Sequence, residues 1–224
     1  MKIIAVIPAR SGSKSVKNKN IHIYKKKPLI FHSIKIALKS KFIDRVFVTT
    51  DSKKYQKLSI KFGAEAPFLR PKKISKDNSS DLDWAKHIVN YLKKSENYFP
   101  DLIVHVRPTS PNRKIGIFDQ GIKFFLRNLR KANAMRSVSK MNQPPQKMFM
   151  LKKNFLVGHF ENSLKGEYFN KPRQFYPSSY MPNGYVDIIK PSYFMKKKSI
   201  MGKKILGFVT PEILDIDTKE DFKL

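Results

Sequence analysis

The chain contains no cysteine among its 224 residues. That absence rules out a disulfide framework, a zinc–thiolate site, an iron–sulfur cluster and a cysteine nucleophile. Long apolar runs are absent as well. None approaches the roughly 18 residues that a membrane-spanning helix requires. The opening MKIIAVIPAR has too short an apolar stretch before Pro8 and Arg10 for a signal-peptide core. The expectation is a soluble, cytoplasmic protein with no membrane partner. The five histidines show no metal-ligand spacing. The familiar phosphate motifs are missing too: there is neither GxxxxGK[ST] nor GxGxxG. Acidic residues are few, 17 against 46 Lys plus Arg, for a formal charge of +29.

Such a charge first points to nucleic acid. Only nine of the basic residues are arginine, the side chain that reads bases in bidentate fashion. The excess does not form a tail either. Residues 1–60 hold 15 basic and 2 acidic side chains, and residues 121–180 hold 12 and 2. Both stretches also carry core periodicity, so most of the lysine excess is background on a folded domain.

What is present is an alternation of strands and helices. Lys2–Pro8 is a short β-branched run of the kind buried in a parallel sheet. A polar loop, Ala9–Asn20, follows it. Pro28 opens a helix with Leu29, Ile30, Ser33, Ile34, Ala37 and Leu38 on one face. Strands are predicted at Arg45–Thr50, Ala64–Phe68, Asp101–Val106, Ala134–Val138, Gly184–Ile189 and Lys204–Val209. Helices are predicted from Asp51–Ser52 through Phe62, at Asp81–Lys94, at Ile115–Arg127 and after Pro191. This order implies a single α/β domain over 1–224 with a mainly parallel sheet. Between 139 and 182 the pattern breaks into paired prolines and scattered aromatics, read as an inserted segment of short antiparallel strands and loops. Within the regular part, His105 and Trp84 read as packing residues.

The loop Ile7–Asn20, IPARSGSKSVKNKN, is the first chemical feature. Gly12 removes a side chain where backbone amides meet a phosphate, and Arg10, Lys14 and Lys19 supply positive charge. The segment closely resembles the N-terminal signature of the sugar cytidylyltransferases, above all the acylneuraminate cytidylyltransferase (CMP-sialic acid synthetase) family and its CMP-legionaminic acid synthetase-like branch. Pro8, Ala9, Arg10, Gly12, Ser13, Lys14, Lys19 and Asn20 fill the pattern P-A-R-x-G-S-K…K-N. VTTDS (48–52), FLRPKKISKDNSSDLD (68–83), VRPTSP (106–111), QPPQKM (143–148), PRQFYPSSYMPNG (172–184) and DIDTKEDF (215–222) resemble further family segments, in the family's order.

The resemblance implies a Rossmann-like three-layer nucleotide-diphospho-sugar transferase fold. It also implies transfer of CMP from CTP to the anomeric hydroxyl of an acidic nine-carbon (nonulosonic) sugar, with release of pyrophosphate. By that resemblance Ala9, Arg10, Gly12, Ser13, Lys14, Lys19, Asn20, Arg70 and Asp77 bind the nucleotide, Arg10 and Lys14 being catalytic through the triphosphate. Arg107, Lys147, Arg173, Gln174 and Asn183 face the acceptor, and Asp215 and Asp217 bind Mg2+. The inserted segment is implied to form a homodimer.

The residues bear this out chemically. Alternate positions of a strand share a face, so Asp215 and Asp217 offer two hard oxygen ligands if that segment is extended. Thr218 with Asp221 reads as a helix-capping pair. Arg clamps a carboxylate with two parallel hydrogen bonds. Two positions depart from the family pattern: Arg107 stands where some members carry Gln, and Asp187 where some carry an aromatic. Both bear on the acceptor. Another sugar cytidylyltransferase, such as the CMP-3-deoxy-manno-octulosonate enzyme, and a non-enzymatic nucleic-acid binder are the alternative readings.

Overall fold

The computed structural model describes residues 1–224. Its elements run β1 (Ile3–Pro8), β2 (Ile23–Tyr24), β3 (Lys27–Pro28), α1 (Leu29–Lys39), β4 (Arg45–Thr49), α2 (Lys53–Lys61), α3 (Asp81–Glu96), β5 (Leu102–His105), α4 (Ile115–Arg127), β6 (Ala134–Lys140), β7 (Phe149–Lys152), β8 (Phe155–Gly158), β9 (Tyr180–Ile189), α5 (Pro191–Phe194) and β10 (Ile205–Val209). Six strands form one sheet in the order β10-β6-β9-β5-β1-β4. All neighbours are parallel except β9, which runs antiparallel to both β5 and β6.

The strands are apolar on both faces because both are covered. Along β1, Ile3, Ala5 and Ile7 join a core with Ile30 and Ile34 of α1 and Phe118, Ile122 and Phe125 of α4. Ile4 and Val6 face the other way, onto Trp84, Ile88 and Leu92 of α3 and Phe194 of α5. Two helical layers therefore enclose one sheet, the three-layer arrangement the resemblance implies. At Gly121 a Cβ would lie 2.6 Å from Val186 Cγ1, so α4 approaches β9 only because that position is glycine.

Three local expectations are corrected. The strand expected at Ala64–Phe68 is reduced to two isolated parallel bridges, Phe47 with Glu65 and Thr50 with Leu69, since the sheet already ends at β4. The strand expected from Gly184 starts at Tyr180, inside the stretch read as inserted. Asp215–Asp217 belongs to no strand or sheet; its one backbone–backbone hydrogen bond runs from Ile216 N–H to the Thr109 carbonyl at 2.8 Å. Between β6 and β9 the chain makes the β7–β8 hairpin and several tight turns.

Candidate active site

The parallel strands β1, β4 and β5 end at one edge of the sheet, where an open cleft of about 520 Å³ is found. One wall is the loop after β1. Asp51, just past β4, fixes its start by accepting from Ser11 N–H at 2.8 Å and Ser11 Oγ at 3.0 Å. Asn20 Nδ2 donates to the Arg10 carbonyl at 3.0 Å and draws the loop's far end back on its beginning. Between these anchors a Cβ at Gly12 would meet nothing within 4 Å, so free space lies in front of the backbone there.

Arg10, Lys14 and Lys19 of this loop are already ion-paired. Asp77 receives Arg10 Nη1 at 2.7 Å and Lys14 Nζ at 2.8 Å, one on each carboxylate oxygen. Hydrogen bonding from Lys14 leads the interactions that hold the Asp77 carboxyl below its usual pKa. Asp77, expected from the sequence to face the nucleotide, here sits on the two cations Arg10 and Lys14 instead. Arg70 is buried and gives Nε to Ser75 Oγ at 3.0 Å. Burial lowers its pKa, against the pull of nearby Asp51.

The opposite wall belongs to α3 and the end of β5. Trp84 Nε1 donates to Asp81 Oδ1 at 2.8 Å, and the Trp84 and His105 rings lie 4.9 Å apart. Burial drives the His105 pKa down to about 4, so the imidazole is neutral near pH 7. Burial opposes the charge of Asp81, but His105, the Trp84 indole and Arg107 and Arg136 outweigh it and lower its pKa. Trp84 and His105, read from the sequence as packing residues, also line the cleft.

Arg107 and Asp187, the two departures from the family pattern, touch each other: Arg107 Nη2 lies 3.3 Å from Asp187 Oδ2. Arg136 Nε approaches the same oxygen at 3.4 Å, and Ser137 N–H donates to Oδ1 at 3.2 Å. Asp187 is only 1% exposed. The register explains this meeting, because His105, Asp187 and Arg136 occupy one row across β5, β9 and β6.

The cleft gathers Arg10, Ser13, Lys14, Lys19, Asn20, Arg70, Asp77 and Arg107 from the sequence-predicted set. Ala9 is buried behind the loop. Arg173 and Gln174 line a separate hollow of about 430 Å³ with Lys140 and Met141. Lys147 and Asn183 line neither. Asn183 is used by the fold, donating Nδ2 to Thr210 Oγ1 at 2.7 Å and accepting from Tyr185 N–H at 3.2 Å.

Asp215 and Asp217 are exposed and flank fully buried Ile216, an alternation that holds without a strand. Lys19 Nζ lies on Asp217 Oδ1 at 2.7 Å, so the cleft loop and this carboxylate are in contact. Two exposed carboxylates either side of Ile216 are oxygen donors of the kind a hard divalent ion takes, and the Lys19 ammonium now on Asp217 would have to share or yield that oxygen. Asp221, expected to pair with Thr218 at a helix start, accepts from the backbone N–H groups of both Asp217 and Thr218.

An open α/β sheet with a cation-bearing loop at the carboxyl ends of its strands defines a nucleotide-binding enzyme class. The comparisons narrow it. Residues 4–176 match the family model described as cytidylyltransferase. The chain is 31% identical, over its whole length, to N-acylneuraminate cytidylyltransferase of Escherichia coli O18:K1:H7, of which it spans about half (51%). It is 28% identical to pseudaminic acid cytidylyltransferase of Campylobacter jejuni serotype O:23/36, covering all of this chain and 94% of that one. Among solved structures, CMP:2-keto-3-deoxy-manno-octonic acid synthetase complexed with CTP superposes with a TM-score of 0.71 at 16% identity, covering 100% of this chain and 96% of that one. The chain belongs to the cytidylyltransferase family and is a nucleotidyltransferase.

Proposed function

We propose that the protein transfers CMP from CTP to the anomeric hydroxyl of a nonulosonic acid and releases pyrophosphate. The observation that carries this reading is the pair Arg10 and Lys14 holding one carboxylate between them at the cleft. On binding, the triphosphate takes over that pair from Asp77. Arg10 and Lys14 then neutralise the phosphates, and Lys14, the more exposed, is assigned to the departing ones. Asn20 and Ser13 orient the nucleotide and Arg70 lies toward its base and ribose. Transfer at phosphorus depends mainly on such positioning and charge neutralisation.

Asp215 and Asp217 would hold a magnesium ion, which supplies further charge stabilisation on the phosphates. On the acceptor side we place Arg107, with Lys147, Arg173, Gln174 and Asn183 contributed by or around the inserted segment. Relatives named for N-acylneuraminate, pseudaminic and N,N'-diacetyllegionaminic acids support the acidic-sugar class and leave the member open among the three.

The β7–β8 hairpin exposes Leu151, Phe155 and Leu156 at 65–75%. We read it as the contact between two copies of the chain, which sedimentation in solution tests. For the reaction, purified protein is incubated with CTP, magnesium and a panel of sialic, legionaminic, pseudaminic and 3-deoxy-manno-octulosonic acids. Pyrophosphate release with one of the nine-carbon acids is expected, and silence across the panel refutes the reading.

A further inference from the structure

Arg113 lies two residues beyond the turn Pro108–Pro111 and is buried. Its guanidinium spends all five N–H donors inside the protein. Nε donates to the Tyr185 carbonyl at 2.7 Å. Nη2 donates to the carbonyls of Gly184 at 2.7 Å and Arg107 at 3.0 Å. Nη1 donates to Ser33 Oγ at 3.1 Å and to the Ser110 carbonyl. Ser33 Oγ passes its own proton to the Arg107 carbonyl at 2.9 Å. No carboxylate pairs with Arg113; Asp187 and Asp215 act on it only through space. Burial lowers its pKa to about 9, which leaves it cationic at neutral pH.

Burying a charge with no carboxylate partner is costly, and what offsets it here is the full set of five hydrogen bonds. What only a planar, five-donor group can do is gather carbonyls from separate segments. Here those segments are the turn after β5 and the Gly184–Tyr185 bend of β9. The bend needs glycine: φ at Gly184 is +69°, and a Cβ there would lie 3.0 Å from Arg107 Cδ.

The gathered turn has two further jobs. It carries Arg107, Pro108 and Thr109 into the cleft wall, and its Thr109 carbonyl holds Ile216 between Asp215 and Asp217. The phosphate loop has its own anchors, Asp51 and Asn20, and shares none of these bonds.

We propose that Arg113, assisted by Ser33, is a positioning residue that fixes the acceptor-side and carboxylate wall of the cleft, a wall that meets the nucleotide loop only through the Lys19–Asp217 ion pair. The inference rests on the reaction proposed above only for the roles given to that wall. Arg113→Lys keeps the charge but not the planar fork. It is expected to cut kcat/KM for the acceptor by about tenfold to a hundredfold, with the affinity for CTP measured calorimetrically without magnesium within about twofold of wild type. Ser33→Ala, a milder change on α1, is expected to give the same split at about threefold.

A readout that needs no acceptor accompanies these. By hydrogen exchange, the Ile216 amide loses protection in both variants while the Ser11 amide keeps it. Equal loss of CTP and acceptor affinity, or an Ile216 amide as protected as in wild type, overturns the proposal. If Arg113→Lys fails to fold, Ser33→Ala decides it. Wild-type silence on the acceptor panel refutes the reaction, and the exchange comparison still judges the positioning.

Discussion

Replacing Asp187 with asparagine tests the charge arrangement behind the cleft. The carboxylate is 1% exposed and is shared by Arg107 and Arg136, which are 34% and 30% exposed. Removing one partner of a fully buried ion pair costs about 3–5 kcal/mol. Because both arginine side chains are about one-third exposed, water takes up part of the stranded charge, and about 2–3 kcal/mol is the better figure. Asparagine still accepts from Ser137 N–H, so the loss is mainly of charge.

For a chain of this length each kcal/mol moves the melting temperature by about 2–4 °C, which predicts a fall of about 4–12 °C. The assay is thermal unfolding of wild type, Asp187→Asn, Arg107→Gln and the double variant. Arg107→Gln removes one of the cations left stranded, so the double variant should melt above the additive expectation, with a coupling of about 1 kcal/mol or more. An unchanged melting temperature in Asp187→Asn, or strict additivity, refutes the reasoning. Either result would mean that the two arginines are satisfied by solvent.

Other consequences are equally open to measurement. His105 is neutral in the fold until about pH 4, whereas in the unfolded chain it takes up a proton near pH 6.5. The unfolded state therefore binds more protons between those values, and stability falls as pH drops through that window, by up to the order of 3 kcal/mol. Denaturant titrations of wild type should show this acid limb, and His105→Asn should flatten it. Asp77→Asn removes the internal competitor for Arg10 and Lys14, so CTP should bind more tightly by calorimetry. Asp217→Asn should raise the magnesium concentration needed for half-maximal turnover, and Asp217→Ala should abolish turnover. Chelation of wild type should do the same, reversibly.

The fold was legible because its signals are local. Ile115–Arg127 was bounded to the residue by its apolar face, and Ser52 caps α2 as its position before Lys53 suggested. That the loop after β1 would line a cleft with its cations was legible for a similar reason, since they lie within one short segment. Pairings between distant residues were not. Arg107 and Asp187 were each noted as unusual, but only the row His105–Asp187–Arg136 across three strands brings them together. That row depends on β9 running against its neighbours, a direction no local pattern encodes. The role of Arg113 is not legible in the sequence, because an arginine after a proline-rich turn looks like one more surface cation on a basic chain. The partners of the Asn183 amide, Thr210 and Tyr185, are hidden from the sequence in the same way.

The reversal of β9 also determines how the inserted segment is mounted. The chain leaves the sheet at Lys140 and re-enters at Tyr180, and these two residues are cross-strand partners. Departure and return thus share a single doorway whose frame is closed by the ladder itself. Varying the length between the two posts changes the entropy of a loop whose ends are already pinned, a cost that grows only with the logarithm of length. The segment is therefore interchangeable in the manner of a tool head on a fixed handle. A segment of another length or sequence can be grafted there while the ladder, and the loop after β1 three strands away from β6, keep their register.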